Sequence, residues 1–111
     1  MSSKIDASVI MQAMTQAAAA ALKKKWPAAR TYAGHEFEKF VLQMRQIEKL
    51  KDDRAITEDE ARFLARLQQN AMMTVLLTLE GLGMLAVESA VNASIDAVRD
   101  LINTAIGWKI L

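Results

Sequence analysis

His35 is the only histidine in the sequence, and two carboxylates, Glu36 and Glu38, follow it closely. Histidine with carboxylates is the donor set of a metal site or of an acid–base pair. On a helix, adjacent residues point about 100° apart, so Glu38, three residues on, shares a face with His35 and Glu36 does not. The order His-x-x-Glu reverses the Glu-x-x-His of carboxylate-bridged di-iron bundles, and there is no second histidine to complete such a site. Beside Tyr32, His35 reads as a solvated side chain. Neither a metal nor a cofactor is expected.

Glu80 is the more informative acid because it interrupts the most hydrophobic stretch of the chain. A buried carboxylate must be paired or protonated. Three roles fit it: an ion pair with Lys25 or Arg30, a contact with its own copy at a dimer axis, or the single polar anchor of a ligand cavity lined by Met72, Met73, Met84 and Leu85. Methionines at this density ordinarily fill irregular core gaps. Ser89 and Ser94 have no histidine within helical reach, and no glycine-rich phosphate loop precedes a helix. The sequence therefore predicts no enzyme.

The stretch that must position these residues is 56–107. Thr57 is placed to accept from the backbone N–H of Glu60, Glu60 to reach back to Thr57, and Ile56 to pack on Ala61. Glu58, Asp59 and Glu60 also suit the positive end of a helix dipole. Polar residues then recur every eleven positions, at Asn70, Asn92 and Asn103, with Gly81 in the same row. Eleven residues are three turns of a nearly straight helix. Between 71 and 87 the polar stripe narrows until the segment is apolar almost all round. Gly81 and Gly83 each cost on the order of 1 kcal/mol in a helix interior, and either could end one. No Asn, Asp, Ser or Pro accompanies them to form a turn, so continuity is the preferred reading. A helix from Thr57 to Ile106 would be about 75 Å long.

A first helix is expected from about Ala7 to Lys25, capped by Ser3 or Asp6, with Ile10, Met14, Ala17 and Ala21 on its buried face. Its small residues suit close approach to the row Ala86, Ala90, Ala93 and Ala97. Trp26-Pro27 predicts a bend rather than a hairpin, because no Gly, Asn or Asp adjoins it. A second helix then runs from Pro27 or Ala28 to Lys51, burying Phe37, Phe40, Val41, Met44, Ile47 and Leu50 and turning Glu36, Lys39, Gln43 and Gln46 outward. The polar loop 52–55 makes it an antiparallel neighbour of the long helix. Gly107 ends that helix, and Trp108, Ile110 and Leu111 form an apolar tail that should dock on the bundle or on a second subunit.

The 111 residues are 52 % hydrophobic, with one Pro, four Gly and no Cys. This is a helix-forming composition for a single domain, 1–111, and it excludes disulfides and thiolate metal sites. The net charge of +1 is unevenly placed, since residues 1–30 carry five basic and one acidic side chain. Lys23-Lys24-Lys25 is the only basic run, too little for a nucleic-acid surface. The N-terminal stretch lacks the pattern of a secretory signal, which makes the cytoplasm the default location. Residues 71–91 fail as a membrane span: the longest charge-free run, 67–79, is thirteen residues where about twenty are needed.

The expected architecture is an all-α antiparallel helical bundle, two shorter helices packed on one long C-terminal helix. The alternative is a four-helix up-and-down bundle broken at Gly81-Leu82-Gly83. Two helices along one side leave an apolar midsection uncovered, which predicts a homo-oligomer, most simply a two-fold dimer. Its interface would draw on Leu76, Leu77, Ala86, Ala90, Ala93, Ala97, Trp108, Ile110 and Leu111. The expected function is that of a non-enzymatic structural or protein-interaction module. Two alternatives remain: a bundle holding an apolar ligand near Glu80, Met73 and Met84, and a helical protein that inserts into membranes.

Overall fold

The computed structural model describes residues 3–111. Met1 and Ser2, which belong to the stretch read as no secretory signal, lie outside them. The described chain is all-helical, with no strand: α1 (Ala7–Leu22), a 3-10 turn (Lys23–Lys25), α2 (Trp26–Asp52), α3 (Glu58–Leu77) and α4 (Met84–Ile106). A helical bundle is what the composition and apolar spacing predict, and it is the broken, four-helix form that is observed.

Asp6 caps α1 by accepting from the N–H of Val9 at 3.2 Å. The buried face continues at a strict spacing of four, through Ile10, Met14, Ala18 and Leu22. Ala17 and Ala21, expected there, are only half-buried. The chain then reverses. Lys23 takes φ 53°, ψ −118°, and Pro27 falls in the first turn of α2, where its missing N–H has no helical partner to lose. The expected bend is thus a hairpin, made by a lysine in a backbone region that costs a side-chain-bearing residue energy. Long-range contacts hold it shut: Glu48 accepts from Ser3 Oγ and from the N–H of Lys4, and the Arg45 guanidinium donates to the Ile5 carbonyl at 2.9 Å. These bonds tie the start of the chain to the far end of α2.

Along α2, Phe37, Phe40, Val41, Met44 and Ile47 are buried as their spacing predicts, with Leu50 half-buried. Glu36 is a correction: expected on the polar side, it is 3 % exposed. The capping box at α3 forms as read, with Glu60 N–H donating to Thr57 Oγ1 at 3.1 Å and Thr57 N–H to Glu60 Oε1 at 2.9 Å. Ile56 packs against the core that contains Ala61.

The long C-terminal helix does not exist as one piece. It ends at Leu77 and restarts at Met84. Thr78 turns its hydroxyl back onto the Val75 carbonyl at 2.6 Å, and Gly81 adopts φ +84°, the left-handed region that glycine enters at little cost. Leu82 is 8 % exposed and pins the connection to the core, while Gly83 takes an extended conformation before α4. One positive φ and one buried leucine therefore suffice for the turn. The molecule measures 43 × 23 × 18 Å, its long dimension matching the 27 residues of α2 at about 1.5 Å each.

α4 buries Val87, Ala90, Val91, Ser94, Ile95, Val98, Ile102 and Ile106 and packs most extensively on α1. Gly107 ends it at φ +86°. Its polar face includes Asn92, exposed, and Asn103, half-buried. Lys51 donates to the Ile106 carbonyl, so α2 and α4 finish at the same end. The α1–α2 and α3–α4 connections lie together at the opposite end.

Candidate functional site

Helix spacing of three and four brings Tyr32, His35, Glu36 and Lys39 to one side of α2. With Glu38, Leu42 and Val75 of α3 they line an open cleft of about 520 Å³. Glu36 is the buried group within it, and its Oε2 accepts from Lys39 Nζ at 3.1 Å. Lys39 is 63 % exposed, so the pair sits at the protein–water boundary. His35 and Tyr32 are exposed on the rim. Among the described residues no three His, Cys, Asp or Glu side chains are grouped to hold a metal ion. The cleft has mixed polarity and no nucleophile paired with a base.

Glu80 is not where the sequence reading put it. It lies exposed in the 78–83 connection, because the helix that would have buried it has ended. Met84 is 62 % exposed on the first turn of α4, and Met73 is half-buried against the core. The three residues therefore do not enclose a core cavity, and the buried anchor on which an internal apolar ligand was to rest is absent.

The expected interface residues are largely used within the chain. Leu76, Ala90 and Ile110 are buried in its own core, and Ala86, Ala93, Trp108 and Leu111 are half-buried. Leu77 and Ala97 remain exposed. A midsection left bare by two helices no longer exists, because the chain folds back at 78–83, α3 packing chiefly on α2 and α4 chiefly on α1. The tail docks on its own bundle: Ile110 and Leu111 donate their backbone N–H groups to Asn103 Oδ1 at 3.0 and 3.1 Å, and Arg62 donates to the Lys109 carbonyl at 3.2 Å. Lys51 Nζ stands 4.9 Å from the Trp108 ring.

What remains outside is a different apolar surface. Phe63 and Leu67, one turn apart on α3, are 58 % and 48 % exposed, and Leu42 of α2 is 58 % exposed. Leu42 lines the same cleft as Val75, which places it on the stretch of α2 that runs beside α3. Each lies away from the buried positions of its helix. The signal was present in the sequence as apolar residues off the core stripe, but helical periodicity alone does not say which of them a bundle leaves uncovered.

No helix among the described residues is long and apolar enough to cross a membrane. No family model, curated protein or solved structure matches this chain.

Proposed function

We propose that the chain is a non-enzymatic helical interaction module that self-associates as a two-fold dimer through the outer face of the α2–α3 pair. The observation that supports this reading is the set Leu42, Phe63 and Leu67, three large apolar side chains left more than two-fifths exposed on the neighbouring helices α2 and α3. Two helices side by side offer a flat, self-complementary surface, and an isologous contact would remove all six side chains from water at once. Phe63 is the natural anchor, since aromatic residues at the centre of a contact contribute most to its affinity. The reading carries with it a cytoplasmic site of action, with which a cysteine-free sequence is compatible.

The test is absolute mass by light scattering across a wide concentration range. The wild-type chain is expected to run as a dimer, and the double substitution Phe63→Glu with Leu67→Glu as a monomer of unchanged helical circular dichroism. A wild-type monomer at every concentration overturns the reading.

A further inference from the structure

The Ser94–Met14 contact fixes the register of α1 against α4: nine residues on from Met14 is Lys23, and nine back from Ser94 is Leu85. The 3-10 turn Lys23–Lys25 therefore stands level with Met84 and Leu85 at the end of the bundle that carries both helix connections. Leu85 is the most exposed large apolar side chain of the described residues, at 82 %, and Met84 is 62 % exposed beside it. All three lysines are exposed, and none forms an ion pair among the described residues. Arg30 adds a fourth cation a turn into α2, against the single exposed carboxylate Glu80, with Glu88 half-buried a turn into α4. Trp26 is half-buried next to the lysines.

We propose that this end docks on a bilayer bearing acidic headgroups, with Met84 and Leu85 entering the interface and Lys23, Lys24 and Lys25 contacting the anionic lipids. Its shape and charge both favour lipid. Met84 and Leu85 are consecutive on a helix, so they splay about 100° apart from a convex tip. A bilayer interface accepts such a tip without shape complementarity, which a protein groove would have to supply. The first turn of α4 contains no acid and its Gly83 start has no side-chain cap, so its free N–H groups and positive dipole end also face the headgroups. At the other end, Asp52, Asp53, Glu58, Asp59 and Glu60 are interleaved with Lys49, Lys51, Arg54 and Arg62, which pairs with Glu58 and Asp59, so that end has no comparable excess of positive charge. The charge distribution thus sets one orientation. No helix spans the bilayer in this arrangement, and the α2–α3 outer face remains free.

The experiment is co-sedimentation with phosphatidylcholine vesicles, with and without phosphatidylserine, at low and physiological salt. Binding is expected only with phosphatidylserine and weakens with salt. Met84→Ser with Leu85→Ser lowers the partition coefficient by about tenfold or more. Lys24→Ser with Lys25→Ser lowers it on the order of tenfold at low salt. Emission of a Leu85→Trp variant is quenched by brominated acyl chains. The Phe63→Glu, Leu67→Glu variant should bind vesicles through the same tip, which separates this proposal from self-association. Absence of binding to phosphatidylserine vesicles at low salt overturns the proposal, as does binding that the tip substitutions leave unchanged. An interaction with polyglutamate that displaces vesicles while Leu85→Trp stays unquenched assigns the lysines to an acidic protein and overturns it equally.

Discussion

Ser94 Oγ, fully buried, donates to the Ala90 carbonyl of its own helix at 2.7 Å and lies 3.3 Å from the Met14 carbonyl of α1. Its single proton is thus shared across the most extensive helix contact in the bundle, where Ala18 and Ala90 are also about 1 % exposed. Small side chains are what let α1 approach α4 so closely. Both carbonyls also belong to helices, so the hydroxyl adds little that the backbone lacks. Ser94→Ala is expected to cost about 1 kcal/mol or less. Ser94→Leu, which must push the helices apart, is expected to cost about 3 kcal/mol. Urea denaturation of the two variants checks the ratio, and equal losses would show that the hydroxyl rather than the available space matters.

Two glycines should respond in opposite directions to the same substitution. Gly34 lies within α2, and a Cβ built there meets no atom within 4 Å. Gly34→Ala is therefore expected to raise stability by about 0.5–1 kcal/mol through helix propensity alone. Gly81 has equally open surroundings but φ +84°. Gly81→Ala should lower stability by about 1 kcal/mol, since alanine must hold a left-handed conformation. Thermal unfolding of both variants tests the break between α3 and α4. If Gly81→Ala were instead stabilising, residues 78–83 would be helical and the chain would contain the long helix after all.

Features carried by a few adjacent residues were legible before the structure. The Thr57–Glu60 box, the Asp6 cap, the apolar stripe of α2 and the stop at Gly107 each depend on local backbone geometry and side-chain spacing. Three others depend on contacts distant in sequence. Lys23 carries a positive φ at a hairpin that is held by α1–α2 packing and by bonds from Ser3 and Lys4 to Glu48, all distant in sequence. Glu36 lies at the edge of the apolar stripe, and its burial follows from where α3 packs. The break at 78–83 gave no turn composition to read, because burial of Leu82 anchors the connection. A helix continuous through 78–83 puts Glu80 in the core and leaves the midsection to a second subunit, whereas the alternative break at Gly81-Leu82-Gly83 is the one observed.

Glu48 provides a direct test of the hairpin. It is 8 % exposed and accepts both the Ser3 hydroxyl and the Lys4 N–H. Glu48→Ala removes both bonds to Ser3 and Lys4, leaving the Arg45 contact to the Ile5 carbonyl in place. The expected loss is about 2 kcal/mol, with Glu48→Gln recovering roughly half because its amide oxygen still accepts. Hydrogen exchange at the Lys4 amide should speed up in the alanine variant well before the rest of the bundle does. Uniform acceleration along α1 and α2 would instead mean that the whole hairpin depends on this carboxylate.

Asn103 holds the tail by its side chain, which suits an amide better than it suits most residues. Its Oδ1 accepts two backbone N–H groups, and its Nδ2 stands 3.5 Å from the Leu111 carbonyl. Ile110, anchored in the core at 4 % exposure, holds the other side of the segment. Asn103→Ala leaves both N–H groups without a protein acceptor and is expected to cost about 1–2 kcal/mol. Asn103→Asp keeps the acceptor and should restore the greater part. Because Trp108 stands over Lys51, release of the tail should also shift its fluorescence to the red, whereas Trp26 at the opposite end stays as it was. Comparing each variant with and without Trp26→Phe isolates the Trp108 signal. An unshifted emission in Asn103→Ala would show that Ile110 and the Lys51–Trp108 contact hold the tail without the asparagine.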